Sequence, residues 1–319
     1  MTDQALSKPA ATKPLWQKIT EFPLVAMLIA IALFIGSGVL AKTISDALAL
    51  PKGDDLAMIA RAAIAIGILL LVYKVAIRKL YRPRDDLPLA GAAKGLATGL
   101  LIGLILFSAV VGVAALLDVY NIVGEGGTTE LVTAIVAMAI MPGFTEELLF
   151  RGILFRWLEQ FGGSWFALAL TSALFGLGHI FNPGATPLSS FAIAIEAGVL
   201  LGGAYMLTRS LWMPIGLHAA WNFTQGEIFD VNVSGMEVHG LVTARMSGPE
   251  ILSGGSFGLE ASLIAMVLAT AAGIVLVVLA VRRGNVVRPY WVRRRLASEE
   301  AVGVDVDRNA HLGGPVEAA

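Results

Sequence analysis

Only four histidines occur in the chain, and two of them stand in apolar surroundings. His179 follows Phe175-Gly176-Leu177-Gly178, and His218 opens the string His218-Ala219-Ala220-Trp221-Asn222. A third polar intrusion lies upstream, Glu146-Glu147-Leu148-Leu149-Phe150-Arg151. An ionisable side chain costs about 2.5–3.5 kcal/mol to carry into a membrane-spanning helix, so a concentration of them marks a place for chemistry. On a helix Glu147 and Arg151 share a face and can pair. Glu146 is rotated about 100° from Glu147 and is left without that cation. His218 and Asn222 also fall on one face. A carboxylate and an imidazole can hold and deprotonate a water. A second imidazole with a carboxamide can donate hydrogen bonds to a developing oxyanion. Together these are parts for hydrolysing an amide without a covalent intermediate. The same side chains allow a second chemistry, since Glu146, His179 and His218 make a plausible three-ligand zinc set with a position left for water. The chain has no cysteine, which excludes disulfides, thiolate metal sites and a cysteine nucleophile.

Each part has a plainer reading. Glu147 and Arg151 could form a structural ion pair, His179 could bond free carbonyls at a helix end, and His218 with Asn222 could be interhelical glue. Their joint occurrence on successive apolar segments favours the chemical reading. Glu196 stands alone inside an apolar run, where a structural or water-contacting role is expected. Arg61 lies near a span end and is expected to snorkel.

The elements that must position these residues are membrane helices. Of 319 residues, 56% are hydrophobic and 15% charged, with a mean hydropathy of +0.76, against about 45–50% and 25% in soluble domains. That excludes a soluble enzyme, and the net charge of −1 argues against nucleic acid as a partner. Apolar runs span Phe22 to Ala41, Leu56 to Ile77, Gly95 to Leu117, Leu131 to Thr145, Trp165 to Leu177, Phe191 to Leu207, Leu211 to Phe223, and Leu259 to Val281. The expected fold is an all-α polytopic integral membrane bundle of about eight transmembrane helices. It divides into a polar segment 1–21, helices 1–3 within 22–128, core helices 4–7 within 129–225, an extracytoplasmic loop 226–258, helix 8 at 259–281, and a basic, then disordered, cytoplasmic tail 282–319. The N-terminal stretch is polar for too long to be a cleavable signal peptide.

Basic residues follow the second run (Arg78, Lys79, Arg82, Arg84, Lys94) and the last (Arg282, Arg283, Arg288, Arg293, Arg294, Arg295), whereas the loop before the fourth carries only Asp118, Glu125 and Glu130. This predicts both termini in the cytoplasm, with Lys42 and Lys52 a mild exception. Gly95, Gly99 and Gly103, and again Gly198 and Gly202, predict close helix packing. Gly162-Gly163 predicts a hairpin turn, with Glu146 sixteen residues before Gly162 and His179 sixteen after Gly163. Both would then lie at one height, about 24 Å from the turn, and could face each other. Pro142-Gly143 predicts a kink.

Glu-Glu-x-x-x-Arg, Phe-x-x-x-His and His-x-x-x-Asn, in that order on successive apolar segments, resemble the CPBP family of type II CAAX prenyl endopeptidases and bacteriocin-processing or immunity proteins. The strings Glu146 to Leu154 (EELLFRGIL) and Gly216 to Phe223 (GLHAAWNF) look typical of its bacterial members, and the resemblance covers roughly Thr129 to Gln225. It implies an intramembrane endopeptidase of the bacterial plasma membrane, cutting a peptide or membrane-anchored protein, prenylated or leader-containing, near the cytosolic face. Carried over, Glu146 and His179 activate water, His218 and Asn222 stabilise the oxyanion, and Glu147 and Arg151 support the site. The family has been described both as metal-dependent and as a metal-free glutamate protease. Two other readings stand beside this one. A non-catalytic immunity or scaffold protein would keep the polar cluster for binding. A proton-coupled carrier would show paired broken helices and a pseudo-repeat, neither of which is visible.

Overall fold

The computed structural model describes residues 14–81, 85–128 and 131–299. Arg82, Arg84, Glu130, the stretch before residue 14 and the tail from 300, with its expected disorder, lie outside them; residues 290–299 are helical.

A short helix, α1 (Leu15–Thr20), leads into α2 (Pro23–Ala47), which opens on proline, where the missing N–H costs nothing. Asp54 caps α3 (Asp55–Val75) by accepting a hydrogen bond from the Ala57 amide. There follow α4 (Ala92–Leu116), a composite helix α5 (Leu131–Gly162), α6 (Ser164–Gly178), α7 (Pro187–Thr208), α8 (Trp212–Phe223) and α9 (Leu263–Arg282). Among the described residues seven helices are long and apolar enough to cross a membrane. The chain is thus an all-α polytopic membrane bundle.

The Leu211–Phe223 run, read from sequence as a further span, is the exception. Its helix α8 has 12 residues, continued by a π turn at Thr224–Ile228, and most of it is buried in the bundle. The glycines explain how it fits. A Cβ on Gly99 would come within 2.1 Å of the Met213 carbonyl oxygen, and one on Gly103 within 2.5 Å of that of Leu217. On the other side, a Cβ on Gly216 would come within 2.4 Å of the Leu96 oxygen. Backbone therefore lies on backbone where α4 meets α8, as the small-residue spacing predicts.

The two ends of the bundle differ. At one, the turn between α5 and α6 abuts Val287 and Pro289, which follow α9. Arg156 pairs with Asp86 at 2.6 Å and Arg209 with Glu159 at 2.6 Å, both pairs buried, and Lys74 reaches Asp85 at 2.7 Å. At the other end β1 (Tyr120–Glu125) pairs antiparallel with β2 (Val242–Met246). Asp230 fastens this ribbon by accepting from the Gly240 amide at 3.0 Å and the Ala244 amide at 2.8 Å. The sequence reading had these segments as plain loops.

Candidate active site

The residues that intrude into the apolar segments are brought together by α5, α6 and α8. Helix α5 is π-helical at Ala134–Ile140 and again at Leu148–Phe155, so the α-helical Met141–Glu147 is flanked by two wider turns. Such turns re-aim side chains and are frequent at functional sites. The expected kink at Pro142-Gly143 is thus met by a change of helical pitch on either side.

Glu147 is wholly buried. Its Oε1 accepts from Arg151 Nη1 at 2.8 Å, as the spacing predicts, and also from His218 Nδ1 at 2.9 Å. Arg151 in turn donates to the Ala197 carbonyl at 3.2 Å and lies 4.7 Å from the centre of the Phe175 ring. Phe175 also packs against the rings of His179 and His218, at 4.8 and 6.1 Å. The phenylalanine four residues before His179 is therefore the hub on which the cation and both imidazoles lean.

His179 closes α6, and its Nδ1 donates to the Phe175 carbonyl at 2.7 Å. The helix-end role and the chemical one are thus compatible, because that bond leaves Nε2 free. Asn222 Nδ2 donates to the Met138 carbonyl at 2.8 Å, tying α8 to the first π turn.

His179, His218 and Asn222 line one cavity of about 30 Å³, together with Trp221, Glu196 and Glu260. A water needs roughly 10–15 Å³ on this measure, so there is room for one or two. Glu146 stands outside this lining. No hydrogen bond joins it to His179, and its Oε2 is buried without a partner. The hydrogen bond made between a carboxylate of α5 and an imidazole is that of Glu147 with His218. Equal distance from the turn sets the height of a residue, not the face it presents.

Sequence reasoning missed Glu260 and its partners. Glu260 Oε1 accepts from the Ser234 amide at 2.6 Å and its hydroxyl at 2.9 Å, and Oε2 from Trp221 Nε1 at 3.4 Å. Burial pushes this carboxyl above its usual range, against the lowering effects of Ser234 and His179. Its only trace in the sequence is a lone acid at the edge of the last apolar run. Among the described residues, no three His, Asp or Glu side chains are placed to hold a metal ion.

Fold and site together define a multi-pass integral membrane protein with a buried carboxylate–histidine–arginine centre. Residues 128–224 match the family described as type II CAAX prenyl endopeptidase Rce1-like. This stretch carries every residue from Glu146 to Asn222, and the match supports the CPBP resemblance. The family is one of proteases that act on peptide or protein substrates at membranes. Neither the curated proteins nor the solved structures yielded a match.

Proposed function

We propose that the protein is an intramembrane endopeptidase that hydrolyses a peptide bond of a membrane-anchored substrate, prenylated or leader-containing. The observation that carries this reading is the convergence of His179, His218 and Asn222 on one small cavity, with Glu147 fixing His218 from behind. In this reading Glu146 and His179 take the proton of the attacking water. The Oε2 atom of Glu146 has no hydrogen bond to give up, so the side chain can turn toward His179 when a peptide enters. The carboxylate of Glu147 on Nδ1 lets the His218 ring carry a second proton at Nε2, which donates to the oxyanion. Asn222 keeps one N–H for the same purpose, the other being held by Met138.

Two expectations pull apart here. The arginine-rich segment after α9 packs against the turn between α5 and α6, whereas His179 ends α6 about 22 Å away. A cytoplasmic arginine-rich end then puts the site in the outer half of the bundle, not near the cytosolic face. We adopt the orientation that the basic residues favour.

The test is comparative proteomics of membrane fractions from wild-type and Glu146→Ala strains. New termini present in the wild type and missing from the variant are expected, with equal amounts of the protein in both membranes. Identical cleavage in the two strains would leave a non-catalytic scaffold or immunity role. Chelation separates the two versions of this chemistry: activity kept through chelation marks the metal-free one, and activity lost to a chelator and restored by zinc marks the one in which Glu146, His179 and His218 hold the metal.

A further inference from the structure

One carboxyl in the cavity wall is not used by the hydrolysis described above. Glu196, midway along α7, is 1% exposed, and neither of its oxygens has a hydrogen-bond partner. Other buried acids are held: Glu147 by Arg151 and His218, Glu159 by Arg209 and Ser164, Glu260 by Ser234 and Trp221. An unpaired carboxyl in apolar surroundings is costly and adds no pairing that stabilises the fold. It nevertheless shares its cavity with His179, His218 and Asn222. That space has room for about two waters, which can bridge polar groups along its wall. Glu196 thus brings two unpartnered oxygens to the wall that His179, His218 and Asn222 share, and amide hydrolysis produces a group that needs a proton, the departing amine.

We infer that Glu196 is a further catalytic residue of the proposed hydrolysis, the group that meets the leaving nitrogen and gives it a proton. The inference rests on the reading of the site as a peptidase. Water attacks the carbonyl carbon and passes a proton to Glu146 and His179. The C–N bond then breaks with its electron pair staying on nitrogen, and the Glu196 carboxyl O–H supplies the proton that completes the amine. The proton held at His179 returns through cavity water to Glu196. One water is consumed, and one carboxylic acid and one amine are formed.

The experiment compares wild type, Glu146→Ala, Glu196→Gln and Glu196→Asp. It follows by pulse-labelling the cleavage products that disappear in Glu146→Ala. Glutamine keeps the shape of Glu196 but cannot supply the proton. The Glu196→Gln protein is expected to accumulate normally and to melt no lower than wild type, since no partner is lost. Its Glu146-dependent cleavage is expected to slow by about 100-fold or more, with partial recovery in Glu196→Asp. If Glu146→Ala removes the products while Glu196→Gln forms them at the wild-type rate, only the role of Glu196 is overturned. If Glu146→Ala removes nothing, the peptidase reading falls and this inference with it. A Glu196→Gln protein that melts well below wild type would make Glu196 structural and also overturn it.

Discussion

At the scale of single residues, Glu147 is the pivot. One of its oxygens holds both Arg151 and His218, and Arg151 is almost wholly buried. Removing one member of such a pair strands a charge, at about 3–5 kcal/mol. Glu147→Ala is therefore expected to melt much earlier than wild type in detergent; a shift worth under about 1 kcal/mol would mean that water reaches Arg151. Asn222→Ala loses one modest bond to Met138, about 0.5–1.5 kcal/mol, yet should cut turnover by about 100- to 1,000-fold if the amide serves the oxyanion. Equal activity with a lowered melting point would return Asn222 to the role of interhelical glue. The pairing of Glu147 with Arg151 was legible in the sequence because a four-residue spacing on one helix fixes the face. The bond from Glu147 to His218 was not, because it joins residues 71 apart.

At the scale of elements, the bundle depends on where backbones touch. Gly103 lies against the Leu217 carbonyl, one residue before His218, whereas Gly112 on the same helix faces open space. Gly103→Val should therefore push α8 away from α4, abolish cleavage and reduce the amount of folded protein. Gly112→Val should leave both nearly unchanged, and Western quantification of membranes with the cleavage readout separates the two. If Gly103→Val is tolerated, the close approach of α4 and α8 does not hold the site. The four-residue glycine spacing announced close packing but not the partner. The partner is the short Leu211–Phe223 run. A membrane span and a buried helix have the same composition, and only its short length and enclosed position distinguish α8.

For the whole molecule, the decisive question is which end faces the cytoplasm. The absence of cysteine makes single-cysteine labelling direct. Glu237, exposed in the segment between α8 and α9, and Glu299, exposed beyond α9, lie on opposite sides of α9. Glu237→Cys is expected to react with an impermeant maleimide in intact cells, and Glu299→Cys only after lysis. The reverse pattern would put the cavity at the cytosolic face and the arginines outside.

The sequence by itself determined the solvent, the helices, the pairing of Glu147 with Arg151, and the ordered motifs that mark the family. All of these depend on composition or on spacing within one helix, which local geometry fixes. Tertiary structure alone decided that Glu147 bonds His218. It also brought Glu196 and Glu260 to the cavity and made α8 an enclosed helix. These depend on how each helix is rotated about its axis, and that rotation is set by glycine contacts and π turns between segments far apart in the chain.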